Sequence, residues 1–250
     1  MRKFLIQKLV LLSCLDQLTA HTAEPSLPFQ PLHAHDALAG HVHFGYESRY
    51  FIEGRDSLDG DSIITTTVEL AYQHLALGIW YGICPAQNYD EMQISAAYTD
   101  HLGDLEYYFS WTHLQFNSLF PGSESDNEIG FGLAYDELPY HLSVSFDAYY
   151  SLDAEGSFLE LGLDRSFELS DSLTLGVGGA FGMNQGYVPE GHDGANHLAL
   201  THSLEYALNE TVVLSVHATY SWALDRDPND PDDETLIDFF HAGLGVQFSF

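Results

Sequence analysis

Twelve carboxylates stand out among residues able to do chemistry: Glu47, Glu53, Glu69, Glu91, Glu106, Glu128, Asp136, Asp147, Glu160, Asp164, Glu168 and Glu205. With the small or polar side of the alternating segments taken as inward, all twelve fall on the lumen side, against Arg49 and Arg165. Two arginines cannot compensate twelve acids. Burying an unpaired carboxylate costs on the order of several kcal/mol, so a face carrying this set must be wetted by water. A hydrated, acid-lined face favours cations and repels anions. Arg49 opposite Glu47 or Glu69 would create a transverse field at a constriction, with Trp80 as an aromatic neighbour in the lining.

Three other groupings carry chemistry of a different kind. Histidines gather early in the chain at His33, His35, His41 and His43, the last pair two apart and so on one strand face. Imidazole suits zinc, copper and nickel, which makes these four candidate metal ligands, although no complete ligand set with fixed spacing is present. The run Asp225 to Glu234 holds six acids in ten residues but lacks the glycine and spacing of a calcium-binding helix–loop–helix. It and Asp56 to Asp61 are expected to be hydrated surface loops. His141, Ser143, Ser145 and Asp147 alternate along one face, and His202-Ser203 adjoins Glu205. Same-face neighbours on a strand lie about 6.6 to 7 Å apart, too far for a nucleophile and its base to touch. With no Gly-x-Ser-x-Gly elbow, the expectation is no enzyme.

The elements that must position these groups are strands. From His41 onward, segments of roughly ten to fourteen residues alternate and then turn. Twelve are expected, near 41–54, 62–73, 75–83, 88–100, 104–116, 125–136, 140–152, 157–168, 172–184, 194–208, 211–224 and 235–250. In the last of them Phe240, Ala242, Leu244, Val246, Phe248 and Phe250 face one way, and His241, Gly243, Gly245, Gln247 and Ser249 the other. Connections alternate short (near His74, His101–Gly103, Glu137–Pro139, Leu169–Asp171, Asn209–Glu210) and long (Arg55–Asp61, Cys84–Gln87, Asn117–Glu124, Asp153–Gly156, Gln185–Asp193, Asp225–Glu234). That alternation, segments longer than sandwich strands, and aromatics near segment ends (Tyr46, Tyr50, Tyr72, Tyr98, Tyr135, Tyr150, Tyr206, Tyr220, Trp222) predict an all-β, antiparallel, up-and-down transmembrane β-barrel of about twelve strands.

Composition and ends set further bounds. Residues 1–23 carry Arg2, Lys3 and Lys8 ahead of Leu9–Leu12 and a small-residue stretch ending at Ala20 or Ala23, the pattern of a secretory signal. Leu11-Leu12-Ser13-Cys14 also resembles a lipidation box. Residues 24–40 are then a periplasmic lead-in and 41–250 the barrel. Removing three basic and one acidic residue with the signal takes the net charge from −30 to −32, which repels nucleic acid. After processing Cys84 stands alone, so no internal disulfide is expected. Beyond the signal no stretch of about 20 apolar residues could form a membrane helix. No cofactor is expected.

A chain ending on such a strand with terminal Phe250 resembles bacterial outer-membrane barrels, whose last strand is read by the barrel-assembly machinery. Glu47-Ser48-Arg49-Tyr50-Phe51-Ile52-Glu53-Gly54-Arg55-Asp56-Ser57, followed by Gly78-Ile79-Trp80-Tyr81-Gly82, resembles an uncharacterised family of such barrels, as do Tyr98 and His101-Leu102-Gly103-Asp104. Glu53 stands where that family usually has arginine, with Arg55 nearby to substitute. The resemblance implies an outer-membrane, porin-like barrel in contact with lipid. Twelve strands imply a narrow hydrated interior. The expected function is passage of small neutral or cationic solutes, beside two alternatives: a non-conducting barrel whose acidic loops bind divalent cations, and a barrel enzyme.

Overall fold

The structure, a computed structural model, describes residues 34–119, 123–189, 191–226 and 233–250. The signal and lipidation expectations, His33 and the middle of the Asp225–Glu234 run lie outside these residues. Twelve strands close into one antiparallel barrel: β1 (Ala34–Glu47), β4 (Ile63–Gln73), β5 (Leu75–Cys84), β6 (Tyr89–Leu102), β7 (Leu105–Phe116), β8 (Glu124–Leu138), β9 (Leu142–Ser151), β10 (Gly156–Ser170), β11 (Leu173–Gln185), β12 (Gly194–Asn209), β13 (Val212–Ala223) and β14 (Phe239–Ser249). Neighbours in sequence are neighbours in the sheet, and β14 pairs with β1 to close it, with Tyr46 opposite Leu244 and His43 opposite Gln247. Closure gives every wall strand two partners, the condition for a sheet to sit in lipid. At about 4.8 Å per strand and a tilt near 40°, twelve strands enclose a cylinder roughly 24 Å across between backbones.

Period-two alternation decides the faces. Along β4, Ile64, Val68, Leu70 and Tyr72 are exposed on the outer wall while Ile63, Thr65, Glu69 and Ala71 are buried within. In β11 the inward set is Thr174, Gly176, Gly178, Ala180, Gly182 and Asn184, all small or polar, so the wall there leaves room inside. Outward aromatics ring both ends: Tyr46, Tyr150, Tyr220 and Trp222 at the end bearing long loops, Tyr72, Tyr98 and Tyr206 at the other. Tight turns join the strands at the short-loop end. Gly103 sits at φ +68 in the turn between β6 and β7, a left-handed conformation that glycine adopts freely.

Two segments differ from the sequence reading. β1 begins at Ala34 rather than near His41, because Ala39 to Glu47 pair continuously with β4 after an irregularity that reaches back to Ala34. It also ends at Glu47 rather than Gly54. The chain then leaves the wall and forms a separate hairpin, β2 (Phe51–Ile52) and β3 (Arg55–Asp56). Its tip, Glu53-Gly54, has φ of 43° and 73°, the two positive values that a two-residue turn matched to strand twist requires. The Asp56–Asp61 loop, expected to be hydrated, is therefore partly inside the barrel: Arg55, Asp56 and Leu58 are buried.

Candidate pore and its constriction

The hairpin residues and the wall build one site at the long-loop mouth. Tyr50 and Phe51 are consecutive in sequence, yet they engage opposite sides of the bore. The Tyr50 ring stacks on Trp80 of β5 (6.1 Å between centroids) and its hydroxyl donates to Glu91 Oε2 of β6 at 2.7 Å. The Phe51 ring packs on His241 and Phe239 of β14 and edge-on to His197 of β12, with centroids 4.9, 5.5 and 5.6 Å away. β6 and β12 stand six places apart in the twelve-strand ring, so they are diametrically opposed. The hairpin thus crosses the lumen. Tyr50 was expected among the aromatics at the membrane surface; it is instead 3% exposed in the interior, because β1 ends at Glu47 and the chain has left the wall before Tyr50.

Polar anchors hold the hairpin there. Arg55 donates to Asp233 Oδ1 at 2.9 Å, and Asp233 also faces His192 Nδ1 at 2.9 Å. The Asp56 amide donates to the Thr235 carbonyl at 3.0 Å, and the Asn196 side chain donates to the Glu53 carbonyl. Asp233 is fully buried, although it belongs to the acidic run expected to be hydrated. Its charge is matched by Arg55, which the sequence separates from it by 178 residues. Burial alone would push the His192 imidazole down; its contacts with the Ala195 carbonyl and the Asp233 carboxylate outweigh this and hold it above its ordinary value.

Of the other candidates, His33 lies outside the described residues, Glu53 and Glu106 are half-buried, and Asp136 and Glu168, expected in the lumen, are exposed near the short-turn end. Glu47 ends β1 facing inward, its Oε2 lying 2.9 Å from His217 Nε2 and 3.8 Å from His241 Nδ1. Arg49 pairs with Asp56 rather than with Glu47 or Glu69, and its guanidinium lies 5.8 Å from the Phe239 ring centre. Glu69 faces inward on β4, in register with His41 of β1. Asp147 of β9 and Glu160 of β10 are directly opposite in register on the inner face. Asp147 accepts the Tyr108 hydroxyl at 2.6 Å, and Glu160 lies 3.8 Å from His197 Nε2. Asp164 follows on the same inner face, whereas Arg165, of the opposite parity, faces outward and stacks 4.5 Å over Phe167. Strict alternation forbids Asp164 and Arg165 from sharing a face. Glu205 is half-buried between Thr174 and Ser215. His43 is inward on β1; for His35 only the backbone is described. Of the Ser/His/Asp series, His141 sits exposed in a turn at φ 55 while Ser145 and Asp147 face the lumen.

The structure brings in residues that spacing alone did not single out. Tyr187, on the loop between β11 and β12, donates to Glu128 and packs against Phe158, 5.9 Å away; burial pushes its phenol well above the ordinary range, so it remains a donor. His197, His217 and His241 lie on inward parity, and Asp233 closes the mouth. A signal for the hairpin was present: Tyr50, Phe51, Ile52 and Leu58 are too apolar for a loop that ends in water.

The sequence has seven lysines and arginines: Arg2, Lys3, Lys8, Arg49, Arg55, Arg165 and Arg226. Arg49 and Arg55 belong to the mouth segment and pair with acids, Arg165 faces outward, and Arg226 lies on a loop, bonded to the Asp233 carbonyl at 3.2 Å. Among the described residues, no lysine or arginine projects from the strand wall into the bore, whereas Glu47, Glu69, Glu91, Glu128, Asp147, Glu160 and Asp164 do.

No protein-family profile matches the chain, and no curated protein does. Among solved structures, it is similar to the KdgM porin in complex with disordered oligogalacturonate (TM-score 0.56, 11% identity, 84% of this chain and 99% of that one). It is also similar to the NanC porin (TM-score 0.50, 14% identity, 85% and 99%) and to an outer-membrane channel from Pseudomonas putida F1 (TM-score 0.50, 10% identity, 91% and 100%). The fold is that of outer-membrane porin-like barrels.

Proposed function

We propose that the protein is a narrow, water-filled, porin-like channel of the bacterial outer membrane for small neutral or cationic solutes, constricted at its long-loop mouth by the Tyr50–Asp61 segment. The observation that carries this reading is the one-sided charge of the wall: seven buried inward carboxylates and, among the described residues, no wall lysine or arginine directed into the bore. Asp147 and Glu160, directly opposed on neighbouring strands, repel; the Tyr108 hydroxyl bonded to Asp147 and the His197 ring 3.8 Å from Glu160 offset part of that repulsion. Rings of carboxylates raise local cation concentration and exclude anions. The anionic sugar acid named with the KdgM porin is therefore not the expected solute here.

The same proposal includes the outward apolar belt as the lipid contact and the β14 strand ending at Phe250 as the segment read by the assembly machinery. The first strand end and Trp80 segment that resemble the uncharacterised barrel family are the parts that meet at the Tyr50–Trp80 stack.

Reconstituted in a planar bilayer under a KCl gradient, the protein should give a reversal potential of cation-selective sign, and replacing residues 50–61 by a short turn should raise the conductance. Anion selectivity, or no conductance from either form, overturns the channel. The hairpin crossing the bore supports a second reading, a barrel that is shut at rest. Silence of the full chain together with conductance of the shortened one would establish it.

A further inference from the structure

We propose that Glu47, His217 and His241 form a binding site for a single divalent transition metal of the zinc class inside the barrel, beneath the hairpin. Strand register brings the three residues together. Glu47 of β1 and His217 of β13 are both paired with Gly243 of the strand between them, so the three lie in one row across the inner wall. Two inter-strand steps separate the outer pair by roughly 9.6 Å at the backbone. Their side chains nevertheless meet at 2.9 Å because nothing stands between them. A Cβ on Gly243 would collide with both Glu47 carboxylate oxygens and with His217 Cε1. His241, one pleat further along β14, completes the group: one donor atom from each of the three lies within 4.8 Å of the others.

Glu47 Oε2 stands at ion-pair distance from His217 Nε2, 2.9 Å, and 3.8 Å from His241 Nδ1. His241 is fully buried, and neither of its ring nitrogens has a hydrogen-bond partner within normal reach. A fully buried imidazole left in this state beside a carboxylate is costly unless something binds between them. Bonds of about 2.0 to 2.2 Å in tetrahedral array place donors roughly 3.3 Å apart. The observed 2.9 and 3.8 Å bracket that value.

The surroundings preset the donors. Ser48 bonds to Ala242 through both its amide and its hydroxyl oxygen, each at 2.9 Å, pinning the backbone beside Glu47 to the strand that bears His241. The Phe51 ring stacks on His241 at an interplanar angle of 27° and fixes the imidazole plane. The donor set selects the metal: calcium and magnesium want an oxygen cage, whereas two imidazoles and one carboxylate suit zinc, copper or nickel. Three protein ligands leave a fourth position, and Glu47 borders a cavity shared with His43, Tyr50 and Thr65 from which water or a solute group would fill it. The early histidines expected to bind metal make a different group: His41 and His43 point into the bore on β1, outside this cluster.

The test uses the full chain, purified in detergent, stripped with a chelator and titrated with Zn²⁺ against a competing indicator, with Co²⁺ as spectroscopic probe. The expected result is one zinc per chain and a Co²⁺ visible spectrum of tetrahedral intensity. His217→Gln should weaken binding more than about 100-fold, since even outer-shell losses cost about 10- to 100-fold. Gly243→Ala, which keeps all three ligands, should weaken it at least about tenfold by occupying the space they share. His202→Gln, on the outer wall, should bind as the unaltered protein does. If His217→Gln fails to fold, judged by heat-modifiable migration, Gly243→Ala decides. No stoichiometric binding, binding unchanged in both variants, or binding abolished only by His41→Gln or His43→Gln overturns the proposal.

Discussion

Removing the Arg55 side chain tests whether the hairpin is held in the bore by its buried ion pair. Arg55 and Asp233 are almost fully enclosed, 5% and 0% exposed at the side chain, and their contact is 2.9 Å. Breaking a buried pair from one side costs about 3–5 kcal/mol, because the remaining charge is stranded. His192 stays 2.9 Å from the same carboxylate and, as imidazolium, compensates part of that charge. The lower figure applies while His192 is protonated. About 3 kcal/mol is a shift of roughly a hundredfold in the ratio of docked to released hairpin. The sign with pH follows from the raised His192 value. Its stabilising contribution is complete below its unfolded value near 6.5 and is lost as pH rises through the folded one. Release by Arg55→Ala should therefore be stronger at pH 9 than at pH 6. Hydrogen exchange of the Asp56 amide, bonded in the native state to the Thr235 carbonyl at 3.0 Å, reads docking directly, and single-channel recording reads its consequence. Protection should fall roughly a hundredfold at pH 6 and further at pH 9, with longer open times. Protection within threefold of the unaltered protein at both pH values refutes the ion pair as the anchor.

Other perturbations separate the wall from the plug. Phe51→Ala removes a ring packed on His197, Phe239 and His241; it should cost the docked state about 3–5 kcal/mol, visible as increased open time in bilayer recordings. Gly54→Ala combines a left-handed backbone, about 1–2 kcal/mol unfavourable, with a clash against the His197 ring, and hydrogen exchange across 50–61 should accelerate. Glu160→Gln should shift the KCl-gradient reversal potential toward zero by removing one inner charge beside Asp147, with folding intact by heat-modifiable migration. Leu244→Arg, on the lipid face of β14, should destabilise the barrel by about 2–4 kcal/mol in denaturant titration in lipid.

The wall was legible in one dimension because a strand's faces depend only on parity. Residues Ile63–Gln73 and Leu173–Gln185 display their inward and outward sets without reference to any other part of the chain. Parity also shows why Arg165 fails as a lumen residue: it neighbours Asp164, and adjacent strand residues cannot share a face. The candidate site was less legible. Glu47, Trp80, Asp147 and Glu160 could be drawn from the sequence as inward groups, but Tyr50 could not be distinguished from a membrane-surface aromatic, because only the structure ends β1 at Glu47, before it. The apolar content of residues 50–58 was the clue.

By itself the sequence determined a ring of alternating strands and the sign of the charge it encloses, since each is a property of single residues or of their immediate neighbours; that Arg49 and Arg165 leave the inward face was decided by the structure. Only the tertiary structure decided that the first long loop turns inward to span opposite walls, that Arg55 meets Asp233, and that Glu47 meets His217 above a glycine. Those meetings depend on closure and register, which align residues more than 150 positions apart. No local pattern encodes which of two distant strands will face the same row of the barrel.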